Sequence, residues 1–109
     1  MKLGQPEISL NVKSVSDSLA FYQELGFEIV EGEQSEGWFV LEQGSVRIGL
    51  YEGHISSNRM TFFCGDVEGK VSELCSKGMN IESGPEKEDD NTIGATLLDP
   101  DGNLIYLNS

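Results

Sequence analysis

The sequence predicts an α+β fold made of two tandem βαβββ modules, residues 6–52 and 59–109, within a single domain that spans residues 1–109. Three observations support this prediction: a strand followed by a helix occurs twice, the two occurrences share one internal spacing, and the chain ends in a strong hairpin signal. A chain of 109 residues can bury a core of moderate size and would gain stability from a partner subunit. We therefore expect a homodimer.

The first module begins with an alternating strand and a capped helix. Apolar residues occupy every second position of residues 8–12, which is typical of a half-buried strand. Ser14 can accept a hydrogen bond from the backbone near Asp17 and so begin a helix, and Gly26 can end that helix in the left-handed conformation. A polar turn is predicted at 31–37, and the remaining strands of the module are predicted at residues 27–30, 38–42 and 46–51.

The second module repeats this pattern after a connector, residues 52–58, that holds the only histidine, His54. Alternation over residues 59–64 predicts a strand, Asp66 can cap the next helix, and Gly78 can end it. The interval from this cap to its closing glycine equals the interval in the first module, which indicates an internal repeat.

Two strands and a charged stretch are expected before the end of the chain. A short strand is predicted around Ile81, and the acidic run at residues 86–91 is predicted to be a solvated loop, with a mobile flap over a site as the alternative. Pro100 fixes its own φ and Gly102 tolerates a positive φ, so the chain should reverse between strands at 92–98 and 104–108.

Charge and hydropathy exclude several classes of partner. Nineteen acidic residues against 7 basic ones give a formal net charge of -12, which repels nucleic acid and anionic lipid. No apolar run is long enough to span a bilayer, and the first residues lack the pattern of a secretory signal, so we expect no membrane anchor and a cytoplasmic location. The acidic field would attract a cationic ligand, although solubility alone also explains it.

The two cysteines are expected to be free thiols. Cys64 falls in a predicted strand and Cys75 in a predicted helix, and their spacing is not that of a redox or metal pair. Free cysteine is among the most often buried residue types, so we expect both side chains to be buried.

Several short motifs resemble those of one protein family. The helix that ends in Phe21-Tyr22 and continues as Leu25-Gly26-Phe27, and the hairpin written Asp99-Pro100-Asp101-Gly102-Asn103, resemble the vicinal oxygen chelate superfamily. Its members include glyoxalase I, extradiol dioxygenases, fosfomycin-resistance enzymes and bleomycin-resistance proteins. The resemblance covers essentially the whole chain and implies a cup-shaped, mostly antiparallel sheet with helices outside, commonly completed in a homodimer.

The resemblance also implies where a divalent metal would bind. The metal enzymes of that family use up to four His, Glu or Gln side chains, and these positions fall on Glu7, Gly49, Arg59 and Tyr106. Only Glu7 is a plausible ligand, because glycine has no donor atom, a guanidinium repels a cation and a phenol is a poor ligand beside a carboxylate. We therefore expect no metal and no other cofactor, as in the metal-free members that resemble bleomycin-resistance proteins. His54 alone does not rebuild a metal site.

The favoured hypothesis is a protein that binds, rather than transforms, a planar or cationic organic ligand. Strand alternation places the predicted ligand-binding residues on the sheet face opposite the helices: Glu7, Trp38, Arg47, Tyr51, Arg59, Phe63 and Tyr106. Alternatively, the aromatic rings fill a dimer interface or the core, as they would in a purely structural interaction module.

Two enzyme classes stay open beside the binding hypothesis. One is a metal-independent acid-base enzyme, for which Glu7, Arg59 and Tyr106 are the catalytic candidates. The other is a lyase or isomerase, similar to glyoxalase or the dioxygenases, with a non-standard or carboxylate-only site.

Overall fold

The order of strands and helices is the predicted one. A computed structural model describes all residues, 1–109, and confirms the α+β class with two successive βαβββ modules. A short 3-10 turn at Gln34–Glu36 precedes the third strand. The elements are β1 (Gln5–Asn11), α1 (Val15–Glu24), β2 (Glu28–Glu33), β3 (Trp38–Gln43), β4 (Val46–Tyr51), β5 (Arg59–Phe63), α2 (Val67–Ser76), β6 (Ser83–Lys87), β7 (Ile93–Leu98) and β8 (Leu104–Asn108).

The chain divides into two compact units. The first unit is Glu7–Asn58, and the second unit is Arg59–Ser109 together with Met1–Pro6. Leu3 packs against the core of the second unit, so the beginning of the chain contributes to the part formed by its end. The prediction of one domain with modules at 6–52 and 59–109 stays a prediction.

Each unit holds four strands in the same arrangement. The order is β2-β3-β4-β1 in the first unit and β6-β7-β8-β5 in the second. Within each unit the hairpin-connected neighbours are antiparallel, and the first strand pairs in parallel with the last one. This mostly antiparallel pattern is the predicted one.

The core of the first unit lies between α1 and one face of its strands. Leu41 and Leu50 are fully buried there, because alternate residues of β3 and β4 point toward the helix. Val15, at the start of α1, is buried against them. The other members of this core are Phe39 and Ile48, with Leu10, Val12, Leu19, Tyr22 and Phe27 packed around it.

The core of the second unit is built in the same way. Val67, Val71 and Leu74 of α2 are buried, as the helical spacing of the apolar residues predicts. They pack against Leu107 of β8 and, in β7, against Ala95 and Leu97.

The helix ends confirm the repeat at the level of the backbone. Ser14 Oγ accepts a hydrogen bond of 3.2 Å from the Asp17 amide at the start of α1, and Asp66 Oδ1 accepts one of 2.9 Å from the Gly69 amide at the start of α2. Gly26 and Gly78 follow the two helices with φ of 98° and 85°. Both helices therefore begin and end at corresponding positions.

A second pair of glycines marks corresponding irregularities in the edge strands β2 and β6. Gly32 has φ of 117° and Gly84 has φ of 83°, and each lies at or next to a shift in register with the neighbouring strand. At both positions an added Cβ would collide with backbone atoms of that neighbour. Each of the two positions therefore requires glycine for two reasons: the positive φ and the close approach of the neighbouring backbone.

Three predicted boundaries are wrong. Ile81 is not in a strand, since β6 begins at Ser83 and includes two residues of the expected acidic loop, Glu86 and Lys87. β6 is an edge strand and Pro85 lies at its shift in register with β7, and both are places where a strand tolerates proline. Likewise β2 extends to Glu33, into the predicted polar turn.

The cysteines are free, as predicted, but their burial differs from the expectation. Cys64 is half-buried and Cys75 is exposed. Cys75 lies on α2 next to the buried Leu74, and adjacent helical residues point about 100° apart, so its side chain falls outside the core-facing stripe. Burial of the Cys64 side chain raises the pKa of its thiol.

Neither helix has the length and hydropathy needed to cross a membrane. The cytoplasmic location and the exclusion of nucleic acid and lipid partners stay predictions, based on the charge and composition of the chain.

Candidate functional site

Four of the predicted ligand-binding residues share one sheet face of the first unit. Ser9 pairs with Gly49, and Trp38 pairs with Tyr51, so the side chains of these residues emerge on the same side of the strands. The core residues alternate with them and point to the opposite side, toward α1. Following this alternation, the face carries Glu7, Trp38, Arg47 and Tyr51.

Glu7 is the most deeply buried charged residue of this face, with 2% of its surface exposed. Its Oε2 atom accepts hydrogen bonds from Ser9 Oγ at 2.6 Å and from the Tyr51 hydroxyl at 2.8 Å. Its other oxygen, Oε1, is buried and has no hydrogen-bond partner. A buried carboxylate oxygen without a donor is costly, so this atom is a candidate acceptor for a group from a ligand.

Gly49 provides the space that this arrangement needs. A Cβ atom at this position would lie 2.5 Å from Glu7 Oε2 and 2.5 Å from Tyr51 Cε2, closer than real contacts allow. The hydrogen-bonded carboxylate and phenol therefore lie directly over a residue without a side chain. The sequence indicated Gly49 only as a position that lacks a metal ligand. It did not reveal that Ser9 donates a hydrogen bond to Glu7 or that Gly49 leaves the space for the Glu7 side chain.

Arg47 and Trp38 are each tied to neighbouring carboxylates. Arg47 Nη1 donates to Glu42 Oε2 at 2.9 Å, and Nη2 lies 3.9 Å from Glu31 Oε2. The indole nitrogen of Trp38 donates to Glu36 at 3.2 Å. Both contacts hold the side chains on the face opposite the core, where the sequence predicts them.

The connector histidine contacts the same part of the first unit. His54 Nε2 lies 2.6 Å from the backbone carbonyl oxygen of Glu36, and its ring meets the Tyr51 ring edge-on at 6.5 Å between centroids. These contacts attach the connector to the turn that precedes β3. They give His54 a structural role.

Three further predicted residues lie on one face of the second unit. Thr61 pairs with Tyr106, and Phe63 pairs with Asn108, which places these four side chains on the face opposite α2. Arg59 lies two residues before Thr61 in β5 and shares the face.

Arg59 and Tyr106 form a stacked pair. The guanidinium carbon of Arg59 lies 4.0 Å from the centroid of the Tyr106 ring, within the range of a cation-π contact. The Nε atom of Arg59 is buried and has no hydrogen-bond partner. A stacked cation and phenol therefore stand at the two positions of the second unit that the resemblance assigns to metal ligands.

The phenol of Tyr106 is harder to deprotonate than an ordinary tyrosine. Burial, and secondly a hydrogen bond to the Glu88 carboxylate, raise the pKa of the Tyr106 phenol to about 12. Asn108 Nδ2 donates to the phenol oxygen at 3.3 Å. The phenol is thus neutral at physiological pH and acts as a hydrogen-bond donor to Glu88, which argues against it as a general base.

Gly94 plays the part in the second unit that Gly49 plays in the first. A Cβ atom there would collide with the Tyr106 hydroxyl and would lie 2.6 Å from Glu88 Oε1. A second carboxylate and phenol therefore lie over a second glycine. The sequence missed Glu88 and Gly94, since Glu88 belongs to the acidic run predicted to be solvated.

The residues at the family's metal positions do not fit a divalent ion. In the first unit, Gly49 has no donor atom, which leaves Glu7 as the only residue at these two positions that could bind a cation. In the second unit, Arg59 carries a positive charge and Tyr106 keeps its proton. No group of three or more His, Cys, Asp or Glu side chains is arranged to hold a metal ion. The expectation of a metal-free protein stays a prediction.

Comparisons with known proteins place these observations in a family context. The family model of the Glyoxalase/Bleomycin resistance protein/Dioxygenase superfamily matches residues 4–107. No match was found among curated proteins.

Several solved structures share the fold. A structure described as an NAD-dependent benzaldehyde dehydrogenase from Legionella pneumophila is similar with a TM-score of 0.81 at 18% identity, over 94% of this chain and 96% of that one. A glyoxalase/bleomycin resistance protein/dioxygenase superfamily member from Vibrio splendidus 12B01 gives 0.63 at 18%, over 94% and 95%. The methylmalonyl-CoA epimerase of Streptomyces coelicolor gives 0.59 at 17%, over 96% and 94%. At these identities the likeness concerns the fold alone.

Proposed function

We propose that this chain, which belongs to the glyoxalase/bleomycin resistance protein/dioxygenase superfamily, binds a planar or cationic organic molecule without using a bound metal. The proposal rests on the first unit, where Glu7 combines a buried charge with an oxygen that has no donor. A ligand N–H group, and above all a cationic one, would supply the missing hydrogen bond at Oε1.

The surroundings of Glu7 support a planar ligand. Trp38 and Tyr51 are directly paired across β3 and β4, so two aromatic side chains stand next to each other on the same face. Aromatic rings attract planar groups by stacking and cations by about 0.5–2 kcal/mol per contact. In the second unit, Arg59, Phe63 and Tyr106 stay predicted ligand contacts, and the Arg59 cation would suit a polar or anionic group of the ligand.

The ligand class can be tested with three probes of nearly identical shape. Benzamidine is a planar cation, benzamide is its neutral counterpart and benzoate is the anion, and the single tryptophan, Trp38, reports binding by fluorescence. We expect saturable binding in the order benzamidine, benzamide, benzoate. Glu7→Gln should abolish the preference for benzamidine over benzamide, because the neutral amide lacks the charge that selects the cation.

A matched variant controls for effects on the fluorophore. Glu36→Gln changes the carboxylate that contacts the Trp38 indole but leaves Glu7 intact, so its preference for benzamidine should remain. Absence of a saturable response to all three probes, or tightest binding of benzoate, would contradict the proposal.

The metal-free part of the proposal has its own measurement. Protein purified without a chelator should contain far less than one equivalent of zinc, nickel, manganese or iron by elemental analysis. A near-stoichiometric amount of any of these would refute it, whatever the outcome of the probe titration.

A second candidate function is proton transfer without a metal. Two hydroxyl groups donate to Oε2 of Glu7, and Oε1 has no hydrogen-bond partner, so Oε1 is the atom that would take a proton if Glu7 acts as a general base. Incubation with the hemithioacetal of methylglyoxal and glutathione tests the glyoxalase-type reaction. Turnover that Glu7→Gln abolishes would favour this candidate, and lack of turnover would favour binding alone.

The subunit arrangement is part of the same proposal. We propose a cytoplasmic homodimer, since a chain of 109 residues gains stability from a partner subunit. Native mass spectrometry of freshly purified protein would report the subunit number and any co-purified small molecule together, and a monomer at micromolar concentration would contradict the dimer.

A further inference from the structure

The outer surface of the first unit carries an apolar stripe, which we define as Phe21, Leu25 and Ile29. Their side chains are exposed by 61%, 54% and 44%. Phe21 and Leu25 are four residues apart at the C-terminal end of α1, so they lie next to each other on the helix surface. Ile29 pairs with the buried Leu41 in the adjacent strand and therefore lies on the same side of the sheet as the helix.

The stripe does not belong to the core of its own unit. α1 directs Val15, Leu19 and Tyr22 toward the core, whereas Phe21 is not part of it and meets the Tyr22 ring edge-on at 5.2 Å between centroids. Single exposed apolar residues are ordinary, but neighbouring large ones with this much exposure mark a surface that is covered by something else.

The internal repeat provides a comparison within the same molecule. α1 and α2 correspond residue by residue, so Phe21 corresponds to Glu73 and Leu25 corresponds to Lys77. Both residues of α2 are exposed and charged, with the acidic one four positions before the basic one, as in a solvated helix face. The fold therefore does not require apolar residues at these two positions, and the part of the stripe formed by Phe21 and Leu25 is specific to the first unit.

The charges around the stripe identify the chemistry of the partner. From residue 15 to residue 36 the chain contains no Lys, Arg or His. On α1, Asp17 and Glu24 flank the stripe. A second copy of the chain would bring an equally acidic surface against this one, which is unfavourable.

We propose that the apolar stripe docks a basic amphipathic helix of a partner protein. Leu, Ile or Phe side chains of that helix would cover Phe21, Leu25 and Ile29, and its flanking Lys or Arg residues would face the acidic side chains of α1, Asp17 and Glu24. The corresponding surface of α2, which carries Lys70, Glu73 and Lys77, lacks both features.

The test uses a synthetic amphipathic peptide with Leu at helical a and d positions and Lys elsewhere, labelled for fluorescence anisotropy. The matched control peptide has Glu in place of every Lys. We expect the Leu/Lys peptide to bind the whole protein saturably and the Leu/Glu peptide not to bind. Affinity should fall as salt is raised, but part of it should remain, because the apolar contacts are not screened.

Phe21→Glu separates docking from general attraction to an acidic protein. The substitution adds a negative charge, so electrostatic attraction alone would strengthen binding of the Leu/Lys peptide. Loss of the buried phenyl group should instead weaken it by about tenfold or more. Gln23→Glu adds the same charge on roughly the opposite side of α1 and should leave the affinity unchanged or slightly increased.

Each other outcome overturns the proposal. If Phe21→Glu binds the peptide as well as the unchanged protein does, the stripe is not the docking site. If Phe21→Glu instead changes the subunit number in native mass spectrometry, the stripe is an interface between copies of this chain. Circular dichroism of both variants should match the unchanged protein, and Leu25→Lys, which introduces the residue found in α2, provides a second variant if Phe21→Glu does not fold.

Discussion

The two units share a backbone plan but differ in the side chains on the sheet face opposite the helix. In the first unit a buried carboxylate, Glu7, accepts a hydrogen bond from Tyr51. In the second unit the residue at the corresponding place in the leading strand is Arg59, a cation stacked on Tyr106. The residues that fix helix ends and edge strands recur, while the proposed ligand-binding residues on the faces opposite the helices do not. A repeated fold can therefore keep its architecture while the side chains on one face of the sheet differ between the repeats.

Both units bring a carboxylate, a phenol and a glycine together, but the residues come from different elements of the module. The first unit uses Gly49 of β4, and the second uses Gly94 of β7 with Glu88 from the turn that follows β6. The two arrangements thus contain the same types of residue, but these residues do not occupy corresponding positions of the two modules. In both units the phenol and the carboxylate meet where a glycine leaves room above the sheet, although the two glycines are not at corresponding positions.

The largest expected effect concerns the two cores. Leu50 and Leu107 are fully buried in the last strand of their units, so Leu50→Ala and Leu107→Ala should each lower the free energy of unfolding by about 2–5 kcal/mol. Urea denaturation followed by circular dichroism measures both. A cost below about 1 kcal/mol for one of them would show that the two cores are not equivalent.

The paired glycines of the edge strands should give the next largest effect. Gly32→Ala combines a left-handed φ with a Cβ 2.6 Å from the Phe39 Cα atom, and should cost about 2–4 kcal/mol. Gly84→Ala should cost less, because its Cβ would lie equally close to a backbone oxygen, at 2.4 Å, but 3.0 Å from the Ala95 Cα atom. Gly44→Ala has a positive φ but no neighbour within 4 Å and isolates the conformational strain. Equal costs for all three in thermal denaturation would refute the role of the close contacts.

The two phenols should differ in their contribution to stability. Tyr51→Phe removes a hydrogen bond to the buried charge of Glu7 and should cost about 1.5–3 kcal/mol. Tyr106→Phe should cost about 0.5–1.5 kcal/mol, because water can replace the phenol at the half-buried Glu88. Tyr22→Phe, in the core around α1, is the matched control. A larger loss for Tyr106→Phe than for Tyr51→Phe in urea denaturation would reverse the comparison.

Alkaline titration tests the environment of Tyr106 directly. An unfolded tyrosine ionises near pH 10, whereas the folded-state pKa of Tyr106 is about 12, so the folded chain keeps a proton that the unfolded chain loses in this range. The contribution of Tyr106 to stability is present below about pH 10 and is lost as the pH rises toward 12. Absorbance at 295 nm should show a phenol that ionises near pH 12, and Tyr106→Phe should remove that phase. Glu88→Gln should move it to lower pH, and no movement would contradict the assigned hydrogen bond.

Local signals were sufficient to predict the parts of the fold that depend on local physics. Ser14 and Asp66 cap helices because their own side chains reach the first turn, and Gly102 closes the last hairpin between strands that form as expected. The edge strand β6 was misplaced because Gly84 and Pro85 resemble a loop in sequence. Only the pairing with β7, which is not local, makes them part of a strand.

The candidate site was predictable in outline and not in its contacts. Strand alternation places Glu7, Arg59 and Tyr106 on the faces opposite the helices, because that property has a period of two residues. The partners of these residues come from distant parts of the chain. Tyr51 reaches Glu7 only through the parallel pairing of β4 with β1, and Glu88 reaches Tyr106 from a turn of no distinctive sequence.

The position of the first six residues has a practical consequence for work with this protein. Met1–Pro6 belongs to the second unit, where Leu3 packs against the core and Gly4 lies against the Phe63 carbonyl group. A fragment that begins at Arg59 would therefore lack part of its own core, although it contains every helix and strand of the second module. Supplying the missing hexapeptide in trans, or joining it after Ser109 through a linker, would be the way to obtain that half as an independent molecule. An affinity tag fused before Met1 would extend directly from the second unit.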